Sequence, residues 1–239
     1  MTPLFNQNFL TWSNPSINRD TITPDFEDDF TTDKGWTETG TQFTIDTSTN
    51  NRVDGILKRT GVDEYVVKDL QDADALNGSN LDDDAFVIRA KLHYSGTSGT
   101  SFSSTNSFGP SSTSGSANSA QDSIVFQFIG PSGTPRVYAI EADNETLNVG
   151  GIAFATSWAP VLTWYIQWAR TSTTSATLGL YSDDAYTTLI EEETITLPST
   201  VQNLRYLKFS IFPSSNRADT MTVYFTDVKV WNGVTSVQL

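Results

Sequence analysis

Three acidic residues stand at alternate positions in one strand-like stretch of the chain. YAIEADNETLNVGG, residues 138–151, carries Glu141, Asp143 and Glu145 in the spacing E-x-D-x-E. Carboxyl pairs are the chemistry of glycoside hydrolysis, in which one attacks the sugar and the other protonates the leaving oxygen. A retaining mechanism needs the two carboxyls about 5–5.5 Å apart. Positions i and i+4 of a flat strand have backbones about 13 Å apart, so these side chains would have to lean together.

The flanking residues favour a hairpin over a continuous strand. RVYAIEA is typical of one strand and TLNVGG of the next. Asp143-Asn144 between them is strong turn chemistry, because both side chains tolerate left-handed backbone and bond their own main chain. In such a hairpin Glu141 and Glu145 lie on opposite strands at an exposed tip. We therefore predict a turn here and no catalytic residue in the chain.

Acidic and aromatic loop residues suggest binding chemistry instead. The runs Asp82–Asp84 and Asp183–Asp184 could supply some of the six to eight oxygens that calcium takes, although a solvated turn is the simpler interpretation. Trp158 stands in a predicted loop, where its ring is a candidate platform for a sugar. Trp164 and Trp168 alternate along a strand and are predicted core residues. We expect no bound cofactor, with calcium as the open alternative.

A polar sheet face is the predicted ligand surface. Residues that alternate with the predicted core side chains would share one face if their strands were neighbours, and they offer hydrogen-bond donors to a glycan or a protein partner. An ordinary solvated sheet face is the alternative. Together with Trp158, the predicted ligand-binding residues are Arg89, Lys91, Gln127, Gln167, Tyr206 and Lys208.

The composition limits the classes of partner. The 239 residues include 28 acidic and 14 basic side chains, which give a net charge of −14. Such a field repels nucleic acid and anionic membranes, so we expect neither as a partner. The chain has no cysteine and a single histidine, His93, which argues against disulfides, thiolate sites and histidine-based zinc sites or triads. We expect His93 to be solvated or half-buried.

The N-terminal residues differ from the rest of the chain. Residues 1–24 lack the basic region and apolar run of a signal peptide, and no apolar run in the chain approaches the ~18 residues of a membrane span. The segment is predicted to be an extended arm that packs on its own domain or on a neighbouring subunit. Its predicted assembly residues are Leu4, Phe5, Phe9, Leu10 and Trp12.

Short runs with period-2 alternation predict an all-β domain over residues 25–239, with two antiparallel sheets packed as a sandwich. The segment 95–121 is mostly Ser, Thr and Gly and is predicted to be a surface loop. The clearest strand-like runs are AFVIRAKLHY (85–94), SIVFQFIG (123–130), TWYIQWAR (163–170), RYLKFSIF (205–212) and MTVYFTDVKVWN (221–232).

Four stretches together resemble a known superfamily. FEDDFTTDKGW (26–36), TWYIQWARTSTTSATLGLYSDDAYTTL (163–189), STVQNLRYLKFSI (199–211) and FTDVKVWNG (225–233) are similar to the concanavalin A-like lectins and glucanases, in the laminin-G-like form found in viral and environmental proteins. The resemblance implies a jelly roll of two curved sheets with neighbouring first and last strands. It also implies that sugars bind on the concave face or at its rim. In the glucanases of the superfamily the E-x-D-x-E strand is catalytic, which would make Glu141 the nucleophile and Glu145 the acid/base.

These observations favour a non-catalytic structural protein displayed on a particle. We expect a capsid-decorating or fibre-type component at a virion surface, docked through its arm to other subunits as a homo-oligomer or within a larger assembly, with glycans as further ligands. A lectin-like carbohydrate-binding module is the alternative, and a β-glucanase that uses Glu141 and Glu145 is the third.

Overall fold

The computed structural model describes residues 22–58, 64–98, 105–115, 122–129, 136–143, 146–147, 152–157, 162–211 and 220–237. None of these residues forms a helix that could cross a membrane. The described ranges contain the strands β1 (Phe26–Asp28), β2 (Trp36–Thr39), β3 (Phe43–Asp46), β4 (Arg52–Lys58), β5 (Glu64–Asp69), β6 (Phe86–Ser98), β7 (Thr105–Ser111), β8 (Ser123–Ile129), β9 (Arg136–Asp143), β10 (Thr146–Leu147), β11 (Ile152–Ser157), β12 (Leu162–Ser172), β13 (Ser175–Tyr181), β14 (Leu189–Thr196), β15 (Tyr206–Ile211) and β16 (Thr220–Asn232).

The strands form two antiparallel sheets of eight, which confirms the predicted all-β sandwich. Sheet A has the order β14-β13-β12-β6-β16-β4-β3, and β1 also pairs with β16. Sheet B has the order β10-β9-β8-β7-β15-β5-β2, and β11 also pairs with β9. All five of the clearest strand-like runs correspond to strands of the structure, within a few residues at their ends.

The core lies between the two sheets and follows the alternation in the sequence. On β12 the side chains of Trp164, Ile166 and Trp168 are buried, as predicted. On β6 the inward side chains are equally buried, and Arg89 stands on the opposite, outer face. Phe108 of β7 contacts Trp168 edge-on, with ring centroids 5.1 Å apart, so aromatic rings bridge the sheets.

The first and last strands are neighbours, as the resemblance implied. Phe26 pairs with Val230, and Asp28 pairs with Val228. The buried carboxylate of Asp28 accepts hydrogen bonds from Phe30 N and Trp36 Nε1, both at 2.7 Å. Burial raises the pKa of Asp28, although these bonds oppose the rise. The stretch FEDDFTTDKGW therefore connects β1 of sheet A to β2 of sheet B, and the Asp28 carboxylate fixes the loop between the two strands.

The prediction of one long loop over 95–121 is wrong. β6 continues to Ser98, and β7 (Thr105–Ser111) lies inside the segment as a central strand between β8 and β15. The side chain of Phe108 is fully buried. A strand of small residues is stable at this position because the neighbouring strands β8 and β15 pair with its backbone on both sides and shield it from solvent.

The predicted arm lies almost wholly outside the described residues, and Leu4, Phe5, Phe9, Leu10 and Trp12 are all among those not described. Its last three residues, 22–24, are described, and Ile22 O accepts a 2.6 Å hydrogen bond from Trp231 Nε1. This end of the segment therefore contacts its own sandwich. The domain boundaries at residues 24 and 25 stay a prediction.

Candidate functional site: two outer sheet faces

The predicted ligand residues do not share one sheet face. Three of them, Arg89, Lys91 and Gln167, lie on β6 and β12 of sheet A, whereas Gln127, Tyr206 and Lys208 lie on β8 and β15 of sheet B. The prediction of a single shared face is wrong, because alternation along a strand assigns a residue to a face but does not say which strands are neighbours. The seventh residue, Trp158, lies outside the described residues.

The outer face of sheet B carries a polar groove of about 380 Å³. We call it the sheet B groove, and it is lined by Gly35, Thr37, Thr39, Tyr65, Val67, Asp69, Asp72, Ser114 and Tyr206. Tyr206 is opposite Asp69 in the register, and Ser210 is opposite Tyr65. The two tyrosines therefore stand four residues apart along paired strands, or about 13 Å. Two half-buried aromatic rings at the ends of a hydroxyl-lined groove suit an extended, hydroxylated ligand.

Both acids that line the sheet B groove are ion-paired. Arg205 binds the Asp69 carboxylate with two hydrogen bonds, one of them Nε to Oδ1 at 2.8 Å, and its guanidinium carbon lies 4.8 Å from the centre of the Tyr206 ring. The hydrogen bond from Arg205 holds the pKa of Asp69 below its usual value. Asp72 Oδ2 lies 2.9 Å from the Nζ of the buried Lys68. Each acid that lines the groove is therefore already in contact with a basic side chain.

Two of the predicted residues on sheet B are buried and serve the fold. Lys208 is 4% exposed, and its Nζ donates a 2.7 Å hydrogen bond to Gly115 O, which ties down the segment after β7. Gln127 is 6% exposed and pairs in register with Ser107. Of the three candidates on this sheet, Tyr206 alone lines the described groove.

The outer face of sheet A carries a second and larger cavity, of about 560 Å³. We call it the sheet A cavity, and it is lined by Ile22, Thr23, Pro24, Glu27, Arg89, Tyr165, Asp184, Tyr186, Asp227, Lys229 and Trp231. Arg89 is the predicted residue that lines it. Gln167 Oε1 accepts a 2.8 Å hydrogen bond from Arg89 Nε and so positions the guanidinium. Lys91 lies beside the cavity, with Nζ 5.9 Å from the centre of the Tyr165 ring.

His93 lies half-buried on the same face, as predicted. Its Nδ1 is 2.7 Å from Thr163 Oγ1, and its ring stacks on Tyr224 at 4.5 Å. Burial, followed by the charges of Arg52 and Lys91, lowers the pKa of His93. These contacts account for the residue without catalytic chemistry.

The acidic triplet of the sequence is not carried by one strand. β9 ends at Asp143 and β10 begins at Thr146, with Thr146 opposite Asp143 and Leu147 opposite Ala142. The predicted hairpin is confirmed, and its reversal lies one residue later than predicted, between Asp143 and Thr146. Glu145 itself lies outside the described residues. The pairing of Thr146 with Asp143 does not fit the single continuous strand on which the glucanase hypothesis depends.

The acidic loop runs act mainly as main-chain acceptors. Asp82 Oδ1 accepts the amides of Asp84 and Ala85, at 2.7 and 3.2 Å. Asp183 accepts the amides of Thr187 and Thr188, at 3.1 and 2.6 Å, and the Thr187 amide contributes most to lowering its pKa to about 2. Within the described ranges no three His, Cys, Asp or Glu side chains are grouped as a metal site would require. The turn interpretation of these runs is the one that their contacts support.

The arrangement of the strands is that of known carbohydrate-active and carbohydrate-binding domains. The carbohydrate-binding CBM2 module of the evolved Dit protein of Lactobacillus casei BL23 phage J-1 superposes with a TM-score of 0.56 at 12% identity, over 90% of this chain and 97% of that one. The carbohydrate esterase of Shiga toxin-encoding bacteriophage phi24B gives 0.55 at 11% identity, over 87% and 97%. The β-glucanase of Bacillus licheniformis gives 0.53 at 12% identity, over 87% and 97%.

These likenesses establish the fold, which is the concanavalin A-like jelly roll that the sequence resemblance predicted. No protein-family model matches the sequence, and no curated protein matches it either. The assignment therefore rests on three-dimensional similarity over nearly the whole length of each neighbour, at identities that carry no residue-level correspondence.

Most residues of the two surfaces were not among the sequence candidates. Tyr65 and Asp69 lie on β5, whose sequence EYVVKD shows no clean alternation. Tyr186 belongs to the stretch YSDDAY, which suggested calcium through its acids and not a binding wall through its tyrosine. The sequence signal for these residues was the presence of aromatic side chains next to predicted turns. That signal identifies a binding surface only when the order of the strands is known.

Proposed function

We propose that this chain is a non-catalytic carbohydrate-binding module of a viral particle, and that the sheet B groove holds the glycan. The observation that carries the proposal is a hydroxyl-lined groove with tyrosines about 13 Å apart and with its described acids neutralised in place. A neutral saccharide offers hydroxyls for Thr37, Thr39 and the tyrosine hydroxyls, and ring faces for the tyrosine rings. It brings no charge, and both acids that line the groove are already in contact with basic side chains.

The state of the acids supports binding over hydrolysis. Glycoside hydrolysis needs a carboxylic acid that is protonated near neutral pH, together with a carboxylate partner. The pKa of Asp69 is shifted the other way, because Arg205 stabilises its charged form. Asp72 is engaged by the ammonium of Lys68. Asp69 is therefore not set up to donate a proton to a leaving oxygen.

The association with a virion is supported by the neighbours and by the surface charge. Two of the similar structures come from phages, and they are a CBM2 module and a carbohydrate esterase. A net charge of −14 favours solubility and keeps closely displayed copies apart. We propose in addition that the arm of residues 1–24 docks the module onto a neighbouring subunit.

The glycan proposal is tested by screening the full chain on an array of neutral oligosaccharides, with and without calcium. Binding to a subset of glycans is expected, and Tyr206→Ala should weaken it by about tenfold or more, since loss of one stacked ring costs on the order of 1–2 kcal/mol. Tyr224→Ala, on the other sheet, removes an equally half-buried ring and is the matched control. Absence of binding to every glycan, or equal losses in both variants, would contradict the proposal.

The docking proposal is tested by deleting residues 2–21. The deletion stops before Ile22, so the hydrogen bond from Trp231 to Ile22 O is kept and the folded domain should persist. Loss of co-purification with particles, at an unchanged thermal midpoint, is the expected result. Normal incorporation of the shortened chain would refute the role of the arm and would leave the glycan proposal untouched.

A further inference from the structure

The sheet A cavity is formed by five parts of the chain that meet on one outer face, and one of them is the segment from Ile22 to Glu27. β6 and β12 supply its floor, the end of β16 supplies one side, and the loop from 182 to 188 between β13 and β14 supplies another. Asp183 fixes that loop through the amides of Thr187 and Thr188. A volume of about 560 Å³ lies within the range of small-molecule sites.

At the floor of this cavity lies a buried cation to which no described residue supplies an ionic partner. Arg89 is 4% exposed, and its hydrogen bonds go to neutral acceptors, with Nε to Gln167 Oε1 and Nη2 to Val237 O, both at 2.8 Å. Its Nη1 is buried and has no hydrogen-bond partner in the part of the chain that the structure describes. No described carboxylate forms an ion pair with it. A buried guanidinium in this state is incomplete, because its natural complement is a carboxylate held by two parallel N–H bonds.

Aromatic rings enclose the same guanidinium. Its carbon lies 4.2 Å from the centre of the Tyr186 ring and 5.6 Å from that of Trp231. Tyr186 has φ of 53°, a left-handed conformation that is unfavourable for a bulky side chain. Its hydroxyl donates to Ala90 O at 3.2 Å. Backbone strain of this kind persists where the surroundings over-determine it, and it concentrates at ligand sites.

A second left-handed residue lines the cavity. Asp227, also with φ of 53°, stands at the irregularity where the register of β16 against β6 shifts between Thr226 and Lys229. The bulge brings the Asp227 carboxylate to the cavity, where Asp184 adds a second. Lys229 is paired with Glu27 at 2.9 Å and does not neutralise either acid.

These charges select the class of ligand. One unpaired cation at the floor calls for one negative charge, while two carboxylates at the sides repel a polyanion such as a sulfated chain or an acidic peptide. The same carboxylates accept hydrogen bonds from hydroxyl groups. Flat aromatic walls suit the faces of a sugar ring. A small molecule with a single carboxylate, several hydroxyls and a compact ring provides a partner for the cation, for the carboxylates and for the aromatic walls of the cavity.

We propose that the sheet A cavity is a second carbohydrate site, specific for a sugar that carries a carboxylate, such as a uronic or sialic acid residue. The carboxylate binds the free Nη1 edge of Arg89, the ring lies against Tyr186 and Trp231, and hydroxyls donate to Asp184 and Asp227. Because Nη1 is buried, binding requires a shift of the Tyr186 side chain that exposes this atom and leaves the ring against the sugar. The site is separate from the sheet B groove and does not depend on it.

The test is a calorimetric or NMR titration of the full chain with methyl β-glucuronide, with the methyl glycoside of N-acetylneuraminic acid, and with methyl β-glucoside as the uncharged match of the first. At least one of the two carboxylated sugars is expected to bind at one site per chain. Methyl β-glucoside should bind at least about tenfold more weakly, the usual effect of losing one charge-assisted hydrogen bond. Arg89→Gln should weaken binding by a similar factor.

Arg52→Gln is the matched control for Arg89→Gln. It removes one positive charge from the same sheet face, at a residue that lies outside the cavity, and should change the affinity less than twofold. The comparison of charged and uncharged sugars needs no variant, so it decides the question even if Arg89→Gln does not fold. No binding by either carboxylated sugar, equal binding of glucuronide and glucoside, or equal losses in the two variants would overturn the proposal.

Discussion

The two outer faces of this sandwich treat charge in opposite ways. In the sheet B groove Arg205 binds Asp69 with two hydrogen bonds, and Lys68 holds Asp72, so both acids are paired before any ligand arrives. In the sheet A cavity Arg89 is buried, and its hydrogen bonds to the described residues go to neutral acceptors. A face with paired charges can distinguish ligands by shape and hydroxyl pattern, whereas a face with an unpaired cation distinguishes them first by charge. One fold thus offers two unlike surfaces.

The largest expected difference between the sheets concerns one glycine in each. A Cβ at Gly109 of β7 would overlap the carbonyl oxygen of Ile124 and lie 2.9 Å from Trp168 Nε1. A Cβ at Gly179 of β13 would lie 2.9 Å from Tyr181 Cε2, an atom of a side chain that can shift. Gly109→Ala should lower the free energy of unfolding by about 3 kcal/mol, and Gly179→Ala by less than about 1 kcal/mol.

Urea unfolding of the wild type and of both glycine variants measures this difference in stability. The comparison uses the urea concentration at the unfolding midpoint, provided that the dependence of the unfolding free energy on urea is the same in all three proteins. Similar losses in the two variants would mean that β7 relaxes as readily as β13, and that the centre of sheet B is less tightly packed than the distances indicate.

The next contrast compares the buried cations. The Nζ of Lys68 donates to Lys34 O and to the carboxylates of Asp72 and Asp74, at 2.9 and 3.0 Å for the two acids. Lys68→Met breaks these bonds and should cost about 2–3 kcal/mol of stability. Arg89→Met also removes hydrogen bonds, but it relieves the burial of an unpaired charge, so its net cost should stay within about 1 kcal/mol.

Chemical denaturation at neutral pH distinguishes these two variants. If Arg89→Met proves as destabilising as Lys68→Met, the guanidinium is a structural element of sheet A and not a charge held ready for a ligand. Asp74→Asn, which weakens one contact of Lys68 without burying a new group, serves as the milder control.

The smallest effect concerns pH, and here the two faces should behave alike. The pKa of Asp69 is lowered by its bond from Arg205, and that of Asp183 is lowered to about 2 by the amide of Thr187 and further bonds. A carboxyl with a depressed folded-state pKa stabilises the protein above its unfolded value of 3.8, and this contribution is lost as the pH falls through the folded value. Stability should therefore decline from about pH 4 downward.

Asp69→Asn and Asp183→Asn should each reduce the loss of stability below about pH 4. Neither variant should change how stability depends on pH above pH 5. Unfolding midpoints measured between pH 2.5 and 6 provide the comparison. Both carboxyls are partly exposed, so each effect is modest. If the wild type and both variants lose stability identically at acid pH, the hydrogen bonds of Asp69 and Asp183 are not the cause of that loss.

The sequence was sufficient for the fold class because period-2 alternation records which face of each strand is buried. It failed for β7, since TNSFGPS has one large apolar side chain and contains Gly and Pro, features that are typical of loops. In the structure Pro110 stands opposite Leu207 in a central strand, and Ser107 Oγ lies 2.8 Å from Ser210 Oγ. Tertiary surroundings outweigh local preference at such a strand.

The site residues show a different limit. Arg89 and Tyr206 could be nominated as outward polar positions on strands, and both do line a surface cavity. Their separation onto two sheets depends on strand order, which no local pattern encodes. The position of Tyr186 over Arg89 depends on a left-handed backbone in a short loop, and the residue type gives no indication of it.

The pairing of β1 with β16 has a practical consequence. Asp25 N bonds Val230 O at 2.8 Å, and Asn232 N bonds the Asp25 carboxylate at 2.7 Å, so the polypeptide enters and leaves the sandwich at adjoining points. The strands of both binding faces lie between those two points, and residues 22–24 and the Val237 carbonyl complete the sheet A cavity just outside them. Residues 22–237 can accordingly be handled as a cassette and grafted into a surface loop of an unrelated host.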